Sequence, residues 1–491
     1  MTIKGTLRAV RTHENTITPY LAWLIPWIVY LISLPPGVTW GDSPELANAA
    51  ISGGVAHPSG YPLFTLLARV FSWLPFANPA SGINLMDAFL EAGAALWIFL
   101  AIRALTRRPW LALITTILFS LTYTFWMHGR IIEVYALNNF CIGAIFYYMI
   151  RYINGREIKH LYIMSIFFGM GFTNHLTTVL FFPAVLFLFL ATEPKKLLRP
   201  KPLAIMAGII MAFQLLYLYL PIAASNAGGN TIAWNDPSSF DRFLYHVTVR
   251  EYAVFRKGGS LFKGMNQFIL TFQREFGVIG SFLVLIGALE LIARHWRVAG
   301  VLFLYFAATV IYNSTYVVQD ITTYYMAPYM AAAIAMGVGA AWLTEKRSGS
   351  EGISRYMGYA VPALMIIAAI QLYSQNWDLR YKDNLAHYFS KHAFETLPEH
   401  SILISDIDGP SFAMWYQAYS VHPKQKGKVV ITKGMYFDKN KKWYRDFLRK
   451  RHPEVNWPRE GEGYGNKILL RLIENNYDNF PICGAMYSAP R

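Results

Sequence analysis

Cysteine is nearly missing from this chain: Cys141, inside an apolar run, and Cys483, near the C-terminus, are the only two in 491 residues. No disulfide framework follows, and no redox compartment is indicated. Charge is scarce as well. Only 15% of residues are Asp, Glu, Lys or Arg, against 54% hydrophobic, and this balance excludes a string of ordinary soluble domains. There is no metal-ligand spacing, no phosphate-cradling glycine loop and no hydrolase nucleophile motif, so nucleotide-driven transport has no support. Acidic residues are outnumbered 29 to 44, for a formal charge of +15. On a soluble protein that surplus would suggest nucleic acid, so its meaning depends on where the basic residues sit.

They sit in alternate loops between long apolar runs. Lys4, Arg8 and Arg11 precede the first run, and Arg103, Arg107 and Arg108 follow the second. The series continues with Arg151, Arg156 and Lys159, then Lys195, Lys196, Arg199 and Lys201, then Arg294 and Arg297, and last Lys346, Arg347 and Arg355. The intervening short loops carry almost no positive charge, with Arg69 and Arg130 as exceptions. By the positive-inside rule this predicts an integral membrane protein of about eleven spans, with the N-terminus cytoplasmic and the C-terminus extracytoplasmic. The spans fall near residues 20–38, 83–105, 110–127, 135–152, 161–172, 176–191, 203–223, 276–293, 299–317, 324–343 and 357–373. The first run continues through Leu34-Pro35-Pro36-Gly37 without a small-residue cleavage site, so it reads as a retained span.

Two domains are expected: a transmembrane domain over 1–373 and an extracytoplasmic one over 374–491. In the second, 402–404 and 429–431 read as short buried strands and 441–451 and 467–475 as helices, which suggests a small α/β unit. Its basic stretch from Lys424 to Arg451, interleaved with Trp443, Tyr444 and Phe447, suits a solvated face or contact with anionic lipid; no nucleic-acid partner is expected outside the membrane.

The outer loops hold the chemistry. In the first, Trp40 to Leu63, Asp42 and Glu45 follow the first span, and ionisable groups at a membrane boundary are costly enough to suggest function. A capping box from Asp42 and Glu45 on a helix starting at Ser43 is the alternative. Segments 46–55 and 63–74 have helical apolar spacing and are short for a crossing, so they are expected as interfacial helices, as is 241–255. Between the first two, His-Pro-Ser-Gly-Tyr-Pro (57–62) forces a turn that would hold His57 and Tyr61 near Asp42. A second outer loop carries His128, Arg130 and Glu133, with Asn138 just beyond, and a third carries Asn174 and His175. A snorkelling Arg130, an Arg130–Glu133 pair and a capping His175 are the structural readings of these residues.

The stretches GDSPELANAAISGGVAHPSGYPLFTLLARVFSWLPF, NLMDAF, EVYALNNF (133–140) and GFTNHLT (171–177) resemble the membrane family that includes transmembrane protein 260, a branch of the GT-C glycosyltransferases. Ser59 stands where the family's HPPGYP form has a second proline. The resemblance is strongest over about residues 35–225. It implies a polytopic α-helical GT-C-like fold, a polyprenyl-phosphate sugar as donor, and an essential acidic residue in the first outer loop, at Asp42. Asp42 is then expected as general base, with Glu45 orienting acceptor or base. Arg130, His128 and His175 are expected to meet the departing phosphate, and His57, Tyr61, Glu133, Asn138 and Asn174 to contact sugar or acceptor. No cofactor is expected; a bound divalent metal is compatible with the reading and not required by it. Membrane lipids and a protein or glycan acceptor are the other expected partners. Mannose onto serine or threonine follows from the resemblance alone. A transporter or flippase of lipid-linked sugars is the rival reading.

Overall fold

In the computed structural model, the structure describes residues 3–197, 199–256, 260–318, 320–345, 351–382, 384–459 and 465–485. Lys346 and Arg347 of the sixth basic loop lie outside the described residues. Helix α1 (Ile3–Leu31) is followed by two helices of the first outer loop, α2 (Ser43–Ser52) and α3 (Pro62–Ser72), and by α4 (Pro79–Thr106). Then come α5 (Pro109–Ser120), α6 (Tyr123–His128), α7 (Tyr135–Gly155) and α8 (Lys159–Asn174). A 3₁₀ turn over Leu176–Phe181 leads into α9 (Phe182–Ala191), and α10 (Pro194–Leu197) precedes α11 (Pro200–Gln214) and α12 (Tyr219–Asn226). Proline at the first helical turn starts α3, α4, α5 and α11, where its missing N–H is not needed. The third expected span is broken between α5 and α6. Thr122 turns its hydroxyl back to the Phe119 carbonyl at 2.8 Å, and the freed Leu121 carbonyl accepts from Asn376 Nδ2 at 2.9 Å.

The second half holds α13 (Phe240–Val247), a 3₁₀ turn over Arg250–Arg256, and α14 (Leu261–Arg294). Helix α14 begins 15 residues before the expected span, because its polar first turns defeat an apolar window, and it bends at Gly277. Next are α15 (Trp296–Ser314), α16 (Ile321–Tyr324), α17 (Met326–Leu343), α18 (Glu351–Gln375), α19 (Leu379–Lys382) and α20 (Asn384–Thr396). Helix α17, rich in alanine and glycine, is buried along nearly its whole length. It lies so close to α14 that a Cβ on Gly339 would sit 2.0 Å from the Leu283 carbonyl oxygen, the close approach small residues permit in a membrane bundle.

Among the described residues, six helical stretches are long and apolar enough to cross a bilayer, and three shorter ones are apolar. The protein is an integral membrane protein. The basic turns share one end of the bundle. Arg103 donates to the Asn15 carbonyl (3.2 Å), Arg108 to Thr344 Oγ1 (2.8 Å) and Arg297 to the Ala191 carbonyl (2.7 Å), while Arg294 pairs with Glu345.

At the opposite end sits the C-terminal α/β unit. Its strands are β1 (Ile402–Ser405), β2 (Val429–Thr432) and β3 (Ile482–Ala485), parallel and in the order β2-β1-β3. Its helices are α21 (Asp408–Trp415), α22 (Lys433–Phe437), α23 (Lys442–Arg451) and α24 (Asn466–Glu474). Trp415, Val430, Tyr444, Leu448 and Leu472 form its core, joined by Ile232 and Trp234 from the loop after α12.

This unit corrects the expectation for α2. Ser43 to Ala50 are all buried, and α2 packs under α21 and the turn after it, so protein rather than lipid covers its apolar face. Helix α3 keeps Val70 exposed, with Trp73 and Phe76 just beyond its end, as an interfacial helix does.

Candidate active site

Four side chains of the first outer loop meet at one point. Asp42 precedes α2 and makes no side-chain cap bond, so the capping box is not formed. Its carboxylate is 48% exposed and lies 3.7 Å from His57 Nε2. Glu45, one turn on, is 2% exposed and faces inward. Its Oε2 pairs with His57 Nδ1 at 2.8 Å, and its Oε1 accepts from the His57 backbone N–H at 3.0 Å. On the far side of the ring, Tyr61 Oη lies 3.0 Å from His57 Nε2 and also reaches the Pro58 carbonyl. The imidazole thus stands between a buried carboxylate and an open one.

Electrostatics decide its charge. Burial pushes the His57 pKa down, but Asp42, Glu45 and the hydrogen bond to Glu45 more than offset this and hold it at about 9. His57 is a cation at neutral pH. Burial raises the carboxyl of Glu45, which the imidazolium partly counters. Burial, then Asp42 and Asp320, raise Glu133 well above the usual carboxylate range. Asp320, before α16, is raised by burial and then by Asp42. Asp42, Glu45, Glu133 and Asp320 therefore share one electrostatic neighbourhood. Among the described residues, no group of three His, Cys, Asp or Glu side chains is arranged to hold a metal ion.

The other expected site residues are placed as follows. His175 packs its ring against Tyr61, Tyr135 and Tyr324, and its Nδ1 meets Thr177 Oγ1 at 2.6 Å and caps the turn after α8. Burial, then the charge on His57, bring its pKa to about 4. His128 is buried, with Nε2 3.2 Å from Thr323 Oγ1 and its ring edge-on to Tyr135. Arg130 is fully buried and donates to the Ser33 carbonyl at 3.4 Å; it does not snorkel. Asn138 lines a small polar cavity with Tyr135, His175, Thr323 and Tyr324. Asn174 donates to the Val134 carbonyl at 2.8 Å and so fixes the second outer loop, while the Glu133 N–H donates to Asp87 Oδ2 at 3.2 Å.

Sequence reading passed over Asp320, Trp234 and Tyr252. The Trp234 and Tyr252 rings lie 6.0 and 6.4 Å from that of His57. Asp320 beside Tyr324-Tyr325 had a signal, an acid in an outer turn, but the tyrosines suggested an interfacial belt. Trp234 had none, because its partners lie far along the chain.

A backbone clamp fixes the loop below His57. The Val55 N–H donates to the Ile232 carbonyl at 3.0 Å, and the Trp234 N–H to the Val55 carbonyl at 3.1 Å. This approach requires glycine at 54, where a Cβ would meet the Ile232 oxygen at 2.3 Å. Gly54→Ala is expected to destabilise the protein by about 1–3 kcal/mol, read as a lower unfolding temperature in detergent.

The fold is GT-C-like. It is similar to ArnT from Cupriavidus metallidurans, solved bound to undecaprenyl phosphate, with a TM-score of 0.58 at 13% identity over 85% of this chain and 90% of that one. In sequence, residues 42–198 match the family model "Protein O-mannosyl-transferase TMEM260 N-terminal domain". Two relatives are the Protein O-mannosyl-transferases TMEM260 of Mus musculus, 25% identical over 462 residues (88% of this chain), and tmem260 of Dictyostelium discoideum, 25% identical over 429 (77% of this chain). The matches span 64% and 52% of those relatives' own lengths.

Proposed function

We propose that this protein transfers a sugar from a polyprenyl-phosphate carrier to a hydroxyl acceptor with inversion at the anomeric carbon, the donor being a mannosyl lipid and the acceptor a protein Ser or Thr. The observation that carries the reading is the half-exposed Asp42 carboxylate held beside the His57 imidazolium, which is anchored in turn by buried Glu45. The carboxylate is held in place beside a fixed cation, with its exposed side open to accept a proton. A hydroxyl is too weak an acid to ionise beforehand, so Asp42 takes its proton as the new C–O bond forms. The bond from the anomeric carbon to phosphate oxygen breaks, and its electron pair leaves with the lipid phosphate. Negative charge grows on that phosphate, and Arg130 is the cation we assign to it.

We assign contacts with sugar hydroxyls to Tyr61, Glu133, Asn138, His128 and His175. Asn174 supports them through the second outer loop. The mannosyl donor and protein acceptor draw on the relatives' names, and the carrier on the undecaprenyl phosphate of the ArnT structure. The topology we assign has about eleven spans, the basic end cytoplasmic, and the site and C-terminal domain (374–491) extracytoplasmic, in the bacterial inner membrane or its equivalent.

The test is turnover by the purified chain in nanodiscs with polyprenyl-phosphate mannose and serine- or threonine-containing peptides, following lipid-phosphate release and mannosylated product together. Stoichiometric appearance of both is expected. Tight donor binding without release, across a panel of sugars and acceptors, would shift the reading to transport of lipid-linked sugars.

A further inference from the structure

Trp234 belongs to two parts of the molecule at once. Its indole is built into the core of the C-terminal unit, with ring centroids 5.6 Å from Trp443, 6.0 Å from Phe412 and 6.3 Å from Trp415. Its opposite edge faces His57 at 6.0 Å. The surroundings leave it little freedom. Lys441 Nζ stands 5.1 Å from the indole centroid and pairs with Glu251, whose Oε2 also accepts from the indole N–H at 3.3 Å and from Asn235 Nδ2 at 2.8 Å. Arg451 of α23 reaches back to the Gly229 and Asn230 carbonyls at 3.4 and 3.2 Å, fastening the start of the same loop. That loop is clamped through its backbone to Val55, two residues before His57. Any shift of the C-terminal unit on the bundle must therefore move Trp234, and with it Val55 and His57.

We propose that the C-terminal domain is a working part of the acidic centre, and that Trp234 is the positioning residue through which it holds His57 in register with Asp42. The catalytic half of this inference rests on the reading above; the structural coupling between domain and histidine does not. Small displacements at a reacting centre are expensive, since a misplacement of about 1 Å can cost on the order of a hundredfold in rate. The indole contributes shape and water exclusion rather than a proton. Its loss is expected to lower the rate of transfer rather than the affinity for donor.

The test uses the full chain in nanodiscs, with Trp234→Ala, Trp234→Phe, Lys441→Met and His57→Gln, alone and combined. Trp234→Ala should lower kcat about tenfold to a hundredfold with the donor KM within about threefold, and Trp234→Phe should restore most of it. In the His57→Gln background, Trp234→Ala should cost less than about twofold, because residues acting through one another are not additive. Equal losses in both backgrounds would overturn the assignment.

A second readout needs no turnover. The ring titration of His57, assigned by its absence in His57→Gln, is followed by NMR of labelled histidine. The groups facing that ring are Asp42, Glu45 of α2, Tyr61, His175, Asp320, His246 of α13 and Tyr252. All of them remain in the Trp234 and Lys441 variants. Its midpoint should fall by about half a unit or more in Trp234→Ala and also fall in Lys441→Met, where loss of the nearby cation alone would raise it. An unmoved midpoint in both would remove the coupling. A wild type that never turns over, with the midpoint still moving, would sink the catalytic reading alone. If Trp234→Ala fails to fold, Trp234→Phe and Lys441→Met carry both readouts.

Discussion

Asp42→Asn is expected to bind polyprenyl-phosphate mannose as the wild type does and to release lipid phosphate about 10²- to 10⁴-fold more slowly. The substitution keeps size and shape and removes the ability to accept a proton together with the charge that faces His57. What makes the loss interpretable is how little else Asp42 does. Its side chain makes no cap bond to α2, it is half exposed, and its ion-pair partner is His57 at 3.7 Å. A helix cap replaced by alanine costs about 0.5–2 kcal/mol. Asp42→Ala should lower stability by about 1 kcal/mol, the share of its half-exposed ion pair with His57, while turnover collapses. A large fall in stability with near-normal turnover per folded molecule would return Asp42 to the structural role that its spacing with Glu45 suggested.

That contrast shows where sequence was legible here. Apolar length located the long apolar helices, because it follows from the solvent around each segment. The acids and histidine of the first outer loop were visible because such groups have no cheap reason to stand at a membrane boundary. Local spacing could not say what Glu45 does. The partner at the right sequence distance for capping is the Ser43 end of the helix, whereas the partner it takes is His57, brought back by the turn at 57–62.

The misreading of α2 has the same origin. An apolar face covered by lipid and one covered by protein look alike in sequence, and the cover over α2 comes from the turn after α21, where Ser420 Oγ donates to Asn48 Oδ1 at 2.8 Å. Strand β3 was passed over because ICGA is too short to show a period, and it is a strand only because β1 pairs with it. Trp234 was unreadable in the same sense, since all three of its aromatic partners in the C-terminal core come from beyond residue 410.

The second large effect belongs to the His57–Glu45 pair and is one of stability as well as rate. Glu45 is buried, and both hydrogen bonds to its carboxylate come from His57, one from the ring and one from the backbone. Removing the ring in His57→Leu leaves a buried carboxylate with the backbone bond alone, a change that costs about 3–5 kcal/mol where the charge stays uncompensated. Because burial already raises the Glu45 carboxyl, protonation should relieve part of that cost, and Glu45→Gln in the His57→Leu background should recover stability.

The pH dependence has a definite sign. The folded pKa of His57, about 9, lies above the ordinary 6.5, so the folded state binds this proton more tightly. Its contribution, about 3 kcal/mol, is complete below pH 6.5, declines as pH rises, and is lost once pH passes about 9. His175, held near 4, acts only below this window, and Lys441, lowered to about 8 by burial, works in the opposite direction above pH 8. The difference between wild type and His57→Leu isolates the histidine. Unfolding temperatures measured in detergent from pH 6 to 10 should converge as pH rises through about 9. A gap that stays constant across that range would mean that His57 is neutral in the folded protein, and that the cation set beside Asp42 is not there.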